Sequence, residues 1–446
     1  MELSRYLKIY PDQTRPDHLL LFSTFQLSVA RVPRATLDEA LQGPPSAERD
    51  ALVRLGMLTP DPAAERERIR LFLDRANERA RHFKAMVVLN LDCNLDCGYC
   101  YEREFRGGHY MSDATADLLV ETLLRERISK EWDVTLSFYG GEPLLSQDLI
   151  RRISAPLLQG ARNHGVRYGF NLVTNGTLLN RDTALELMPL GLLGAKFTLD
   201  GPREIHDGER PYASGAGSFD AIVDNLSEIC ELLPIQIGGN FRRENYRDFP
   251  RLLDQLASRG ITGEKLQLVQ FTPVTPKAGC SEYGSGCASS SEPWLVEALL
   301  YLREEILFRG YRTGKPSVSA CIVEFQDNIV VNCEGRYYKC PALMGWEGYS
   351  VGSLAEGIKD YRQSHGIGNW QADACLDCCY LPLCFGGCRF LTKLHGKSLD
   401  EVDCRRKFLD AALEQLLLQN MAYPHNSAKK KPTTPASHSI TASAPY

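Results

Sequence analysis

The chain has 446 residues, 43% of them hydrophobic and 24% charged, with 51 Lys+Arg against 56 Asp+Glu for a formal net charge of −5. This is too apolar for a disordered chain and long enough for two or three cores, and the charge balance argues against general affinity for nucleic acid or an anionic membrane. No apolar run approaches the ~18 residues of a membrane span, and the opening MELSRYLKIYPD lacks the apolar stretch of a secretory signal, so the sequence reads as cytoplasmic. Fifteen cysteines stand out. In a reducing compartment, closely spaced cysteines more often bind metal or do redox chemistry than form disulfides.

Residues 1–82 read as a separate module. Apolar stretches at 6–9, 19–22 and 27–32, separated by turn formers, predict three short strands. Helical patterns at 36–41 and 47–55 follow, and a charged stretch, 63–81, bridges to the next domain. The order of strands and helices predicts a winged-helix-like module. From 85 to 270, strand and helix alternate, with strands at 86–91, 134–139, 168–173, 196–199, 235–240 and 265–270. Parallel strands with helical crossovers follow from that alternation, with Ser112 as a cap for the first helix, and the chemistry then collects at the carboxyl ends of the strands. No Rossmann fingerprint is present. After a Gly/Ser/Cys-rich segment at 275–291 and a helix around 294–308, the region 321–404 is rich in cysteine and poor in periodic elements. Residues 426–446 are Ser/Thr/Pro/Ala-rich and read as a disordered tail.

The first strand runs into Cys93-Asn94-Leu95-Asp96-Cys97-Gly98-Tyr99-Cys100, three thiols on one tight loop. Three sulfur ligands leave a tetrahedral zinc or a four-iron cluster one ligand short, which is what a catalytic metal needs; structural zinc with a distant fourth ligand is the alternative. The next three strands end in Gly140-Gly141-Glu142-Pro143, Thr174-Asn175-Gly176-Thr177 and Asp200-Gly201-Pro202, small or hydrogen-bonding residues that should face one mouth. His206 beside Asp207 suits a structural pair better than an acid–base pair, and no catalytic residue is assigned.

In this order and spacing, the CxxxCxYC loop, GGEP, TNGT and LDGP resemble the radical S-adenosylmethionine (SAM) enzyme family, over roughly half the chain. The resemblance implies an α/β fold with a partial (β/α)6 TIM-like barrel. It also implies a 4Fe-4S cluster on Cys93, Cys97 and Cys100, whose open iron binds SAM, and cleavage of SAM to a radical that takes a hydrogen atom from a substrate. By the same resemblance, Gly140, Gly141 and Glu142 meet the methionine amine and the backbone of Tyr99 lies by the adenine. Thr174, Asn175, Asp200 and Arg210 are candidates for the ribose and carboxylate of SAM, Arg210 because its guanidinium offers a bidentate fork.

The later cysteines, Cys321, Cys340, Cys375, Cys378, Cys384, Cys388 and Cys404, resemble the SPASM extension of peptide-modifying radical SAM enzymes. That family implies two auxiliary 4Fe-4S clusters, one on Cys375, Cys378, Cys384 and Cys404 and the other on Cys321, Cys340 and Cys388. The second lacks a fourth cysteine, which Cys333, Cys280 or Cys287 can supply, unless the iron stays open. Both clusters would also order the domain. Cys379 is not expected to join Cys378 in the same cluster, and Cys230 reads as a buried apolar residue. The expected division is 1–82 leader-peptide recognition module, 83–310 radical SAM core, 311–412 auxiliary-cluster domain, and 413–446 helix end and tail.

The N-terminal module is similar to the leader-binding element of ribosomal peptide maturases, in which the leader adds as a strand to a sheet edge. The expected partners are therefore a precursor peptide with a leader and a low-potential electron donor such as flavodoxin or ferredoxin. Thioether cross-linking of a cysteine-rich peptide fits the incomplete cluster best. Formylglycine formation of the sulfatase-maturing type is less favoured because Pro341 stands where those enzymes carry an aspartate. Epimerisation and carbon–carbon cross-linking are further alternatives, and a non-catalytic iron–sulfur carrier or a zinc-binding interaction protein are readings of another class.

Overall fold

The computed structural model describes residues 1–100, 102–103, 106–274, 292–424 and 441–442. Its N-terminal module opens with β1 (Glu2–Leu3), β2 (Leu7–Pro11), β3 (His18–Ser23) and β4 (Val29–Pro33). The last three form an antiparallel sheet with β3 in the middle. α1 (Arg34–Gln42) and α2 (Ala47–Arg54) follow, α2 capped by the Ser46 side chain, before β5 (Leu58–Thr59) returns to pair with β1. Alternation along β3 sends Leu19 and Leu21 to these helices and Leu20 and Phe22 to the opposite side, against Tyr380, Leu383, Phe408 and Leu413. The small sheet is thus covered on both faces, by its own helices and by the C-terminal region.

The charged stretch expected only to bridge is two helices, α3 (Pro62–Arg70) and α4 (Phe72–Arg79). The Asp61 carboxylate caps α3, and Ile69 and Leu73 pack with Tyr6, Trp370, Leu376 and Phe385. A few apolar residues suffice here because the surface that receives them comes from the far end of the chain.

Six strands, β6 (His82–Asn90), β7 (Asp133–Gly140), β8 (Tyr168–Thr174), β9 (Leu192–Thr198), β10 (Ile235–Phe241) and β11 (Leu268–Pro273), pair in parallel in chain order. Their crossovers contain α5 (Asp113–Glu126), α6 (Gln147–His164), α7 (Arg181–Leu187), α8 (Arg203–Glu209), α9 (Phe219–Ile229) and α10 (Phe249–Ser258). This is the expected partial barrel, and Ser112 caps α5 as expected by accepting from Thr115 N–H. Three strand starts differ by more than two residues, β6 beginning at His82, four residues before the predicted start. β9 begins four residues before the predicted start, because Gly194 lets the strand pass close to the Pro234 carbonyl. β11 begins later, because Lys265 N–H closes a turn on the Thr262 carbonyl at 3.0 Å. Leu136, Phe138, Phe170, Leu172 and Phe197 are buried on the outer face. Ser137, Tyr139, Asn171, Lys196, Thr198 and Asn240 alternate with that apolar face, half-buried, and give the barrel a polar lumen.

α11 (Pro293–Phe308) and β12 (Ser319–Ala320) lead into β13 (Asn328–Val331), β14 (Arg336–Tyr338), β15 (Ser350–Ser353) and β16 (Gly357–Ile358). β13 pairs in parallel with β6, so the barrel sheet continues into the cysteine-rich region as one ten-stranded sheet, order β11-β10-β9-β8-β7-β6-β13-β14-β15-β16. Beyond it the periodic elements are short, as the sequence suggested: α12 (Asp373–Leu376), α13 (Leu381–Cys384) and α14 (Arg389–Leu394), before α15 (Arg406–Ala422) packs on α11. Of the expected tail, Thr441–Ala442 is described as β17 beside β12; the rest, and the segment 275–291, lie outside the described residues. No described helix is long and apolar enough to cross a membrane.

The covered sheet gives a direct test. Phe22→Ala should cost about 3–5 kcal/mol in urea denaturation and open the N-terminal module to limited proteolysis. Val29→Ala, at a half-open edge, should change stability by no more than about 0.5 kcal/mol.

Candidate active site at the carboxyl ends of the barrel strands

The cysteine loop leaves β6 and is pinned from beneath. Leu95 is fully buried, Asp96 N–H donates to the Pro211 carbonyl at 2.8 Å, Ala213 N–H donates to the Asn94 carbonyl at 3.1 Å, and Asn94 Nδ2 donates to Thr177 Oγ1 at 2.8 Å. Cys93 Sγ accepts from Leu95 N–H at 3.4 Å and from Asn175 Nδ2 at 3.6 Å. Cys93 and Cys100 both lie within electrostatic reach of Cys97, whose thiol burial pushes up to about 11. A metal that binds this set must therefore displace thiol protons, and affinity rises with pH.

The GGEP turn explains itself by close approach. A side chain at Gly140, whose φ is +142°, would meet the Asn90 carbonyl oxygen at 2.1 Å, and one at Gly141 would meet the Asp92 carbonyl oxygen at 2.1 Å. The two glycines let β7 end against the start of the cysteine loop. Glu142 is fully buried, and its carboxylate accepts from Thr174 Oγ1 at 2.8 Å, Asn175 N–H at 2.8 Å and Leu144 N–H at 3.1 Å. Desolvation nevertheless raises its pKa to about 6, these hydrogen bonds only partly offsetting it. Its oxygens are spent on tying the second strand end to the third. Asn90, a residue that sequence reasoning missed, completes the tie by donating from Nδ2 to the Glu142 carbonyl at 3.0 Å and to Ser146 Oγ at 2.8 Å.

Tyr99 reaches from the cysteine loop to the fourth and fifth strand ends. Its hydroxyl donates to the Asp200 carboxylate and accepts from Arg210 Nη1 at 2.6 Å and from Asn240 Nδ2 at 3.1 Å. Arg210 and Asp200 are buried, 3.6 Å apart, and burial raises the Asp200 pKa against the pull of the guanidinium. Arg210 Nε is buried with no partner among the described residues. Asn240 was also missed, although its place at the end of the fifth predicted strand was a usable signal. The structure thus brings Cys93, Cys97, Tyr99, Gly140, Gly141, Glu142, Thr174, Asn175, Asp200 and Arg210 to one mouth through shared hydrogen bonds and contacts.

His206 stands behind this mouth. It is fully buried, its Nδ1 accepts from Asp200 N–H at 3.1 Å, and its Nε2 lies 3.0 Å from Ser218 Oγ, which donates to the Arg210 carbonyl at 2.6 Å. Burial holds its pKa down at about 3, so it stays neutral with the proton on Nε2. Asp207 accepts from Phe219 N–H at 2.9 Å instead of pairing with it. Each of the two residues is taken up by hydrogen bonds within the fold, and they do not pair with each other.

The later cysteines form two groups in space. Cys375 lies within electrostatic reach of Cys378 and Cys404, and Cys384 of Cys375 and Cys378. Cys388 lies within reach of Cys321 and Cys340, and burial pushes the Cys340 thiol up to about 12. Among the described residues no three His, Cys, Asp or Glu side chains close on a point as the ligands of a single ion do. Cys333 is not a fourth member of the Cys321 set: it lies in the turn between β13 and β14 and packs into the barrel core, while Cys321 and Cys340 belong to a different apolar cluster. Cys280 and Cys287 lie outside the described residues. Cys230 is buried in the barrel core, and Cys379 packs beside Cys378 against the apolar cluster around Tyr380. No described cysteine forms a disulfide.

His206→Ala should leave Asp200 N–H and Ser218 Oγ without their partner, at about 1–3 kcal/mol. In the wild type, the unfolded histidine takes up a proton that the folded one refuses, so His206 contributes stability above pH 6.5 that is lost as pH falls toward 3. Urea titrations at pH 7 and pH 5 should show a smaller acid loss in the variant.

The radical SAM superfamily model matches residues 87–256. The chain is 31% identical over 184 residues to Fe-coproporphyrin III synthase of Methanosarcina barkeri, covering 40% of this chain and 42% of that protein. It is 24% identical over 331 residues to the cysteine-type anaerobic sulfatase-maturating enzyme of Clostridium novyi, covering 67% and 85%. To an uncharacterized protein of Methanocaldococcus jannaschii it is 32% identical over 257 residues, covering 57% of this chain and 82% of that one. Among solved structures, native anSMEcpe with bound AdoMet superposes with a TM-score of 0.59 at 18% identity over 76% of this chain and 100% of that one. SuiB of Streptococcus suis gives 0.53 at 13% identity over 90% and 98%. With its cysteine triad, GGEP turn and six parallel strands in one frame, the chain belongs to the radical SAM superfamily.

Proposed function

We propose that this protein is a radical SAM maturase that modifies a ribosomally made, cysteine-containing peptide, with a thioether cross-link as the product. The observation that carries the peptide reading is the free edge of β4. Ser23 N–H bonds the Ser28 carbonyl and Arg34 N–H bonds the Asp17 carbonyl, so residues 28, 30, 32 and 34 face β3, while the backbone of Val29 and Arg31 faces outward. No described strand pairs there, and Pro33 ends the edge without an N–H. An extended leader adds to such an edge through main-chain hydrogen bonds. The likeness to SuiB, whose structure bound to precursor peptide SuiA is among the solved folds, supports this reading.

At the barrel mouth, Cys93, Cys97 and Cys100 would hold a 4Fe-4S cluster, with the backbone of Tyr99 and of Gly140 to Glu142, together with Thr174, Asn175, Asp200 and Arg210, around SAM. The buried Nε of Arg210 suits the SAM carboxylate. When bound, the cluster and SAM supply one-electron chemistry that removes a hydrogen atom from the substrate. Glu142 acts through position, holding Thr174 and Asn175. Cys375, Cys378, Cys384 and Cys404 would hold one auxiliary cluster and Cys321, Cys340 and Cys388 the other, the latter without a fourth cysteine among the described residues. A flavodoxin or ferredoxin would deliver the reducing electron. Formylglycine formation is the second reading, favoured by the similarity to the Clostridium novyi enzyme over 85% of its length.

The deciding experiment is the intact mass of a short cysteine-containing peptide co-expressed anaerobically with this protein. Loss of two hydrogens with one cysteine no longer alkylatable supports the thioether; an unchanged mass that gains one deuterium in heavy water means epimerisation and overturns it. Val29→Pro, which deletes an outward N–H at the edge, should weaken binding of the leader peptide about tenfold and leave uncoupled SAM cleavage unchanged.

A further inference from the structure

Two cationic side chains lie fully buried beside cysteines of the Cys321 set. Lys339 immediately precedes Cys340, Arg389 immediately follows Cys388, and neither side chain is exposed. Both converge on one segment, 324–328, just past Cys321. Lys339 Nζ donates to the carbonyls of Phe325 at 2.6 Å, Gln326 at 3.4 Å and Asn328. Arg389 Nη2 donates to the Glu324 carboxylate and to the Gly366 carbonyl at 3.0 Å, and its Nη1 to the Gly387 carbonyl at 3.2 Å. Glu324 also accepts from Gly368 N–H at 3.2 Å. From the N-terminal side, Asn77 of α4 donates to the Glu324 carbonyl at 2.9 Å and accepts from Gln326 N–H at 3.1 Å.

Placing a lysine and an arginine in a dry interior costs several kcal/mol each before pairing, and a buried ion pair adds little net stability over an apolar substitute. Such groups are a poor way to stabilise a loop and a good way to fix its geometry. Here each cation stands one residue from a cysteine and reaches the loop of a third. We infer that Lys339 and Arg389 are positioning residues that set the Cys321, Cys340 and Cys388 thiols against one another before any cluster is bound. This rests on the reading that the three cysteines hold an auxiliary cluster.

The test uses the full-length protein, anaerobically reconstituted, with iron content, electron paramagnetic resonance of the reduced protein, and cross-linking of the metal-free protein by the dithiol reagent dibromobimane. The variants are Lys339→Met, the double variant E324L/R389M, which removes both charges of the pair and so leaves neither one buried without its counter-charge, and Lys339→Arg as the conservative rescue. Lys339→Met and the double variant should each lose about four iron atoms per chain and one resonance signal. The SAM-sensitive signal of the Cys93 set should persist. The bimane bridge from Cys321 to Cys340 or Cys388, present in the metal-free wild type, should disappear, and Lys339→Arg should restore it. A wild type that carries iron only at the Cys93 set sinks the auxiliary-cluster reading and this inference with it. A wild type with auxiliary iron whose variants keep that iron and the bimane bridge overturns the inference alone. Variants that also lose the Cys93 signal overturn it as well, because the cations would then support the fold at large.

Discussion

The pairing of Asn328–Val331 with residues 84–87 of β6 is the constraint on which the rest depends. β6 carries the cysteine triad at its carboxyl end and receives β7 on its other side, so its own position is over-determined. By pairing in parallel with that strand, β13 makes the cysteine-rich region an extension of the barrel sheet. The hairpin that follows delivers Cys340 toward Cys321 on the same side of the molecule. A tethered domain would leave the distance between the thiol sets to a linker; a shared sheet fixes it to the register of backbone hydrogen bonds.

The barrel mouth is wired along the same lines. The first five strand ends contribute polar groups that claim one another: Asn90 by the Glu142 carbonyl, Glu142 by Thr174 and Asn175, Asp200 by Tyr99 and Asn240. In a low-dielectric setting such a network holds geometry more than it adds stability. The polar groups at the mouth are tied to one another without any bound molecule, the arrangement expected of a site that positions a reactive cofactor. His206, neutral and buried, anchors this network from behind by fixing the backbone of Asp200.

The N-terminal module does not hang from the barrel as a separate lobe. Tyr6 OH donates to the Leu376 carbonyl at 3.0 Å, Thr24 Oγ1 to the Cys379 carbonyl at 2.5 Å, and Arg5 and Arg66 pair with Asp373 and Asp377. Those contacts bracket the loop that carries Cys375 and Cys378. The surface ion pairs are worth little individually, but the two hydrogen bonds from Tyr6 and Thr24 are buried or partly buried and end on loop backbone. A peptide held at the β4 edge would therefore extend a sheet whose middle strand packs against that loop.

The six parallel strands and the cysteine triad were legible in the sequence, because period-two alternation and a CxxxCxxC spacing are local patterns that burial and sulfur chemistry require. The GGEP turn was legible for the same reason, its glycines being demanded by a backbone approach of about 2 Å to where a side chain would stand. Asn90, Asn240 and the double reach of Lys339 and Arg389 were not, since a polar residue looks the same in sequence whether it faces water or a buried carbonyl. The helices at 62–79 read as a charged linker because their few apolar residues have meaning only against Trp370 and Phe385, some three hundred positions away. The sequence by itself determined the strand order, the thiols and the strand-end chemistry. Tertiary structure alone decided that Cys333 stands apart from Cys321, that His206 is a neutral anchor, and that the N-terminal sheet is packed on both faces. Those outcomes depend on which distant surfaces meet, and no local spacing encodes that.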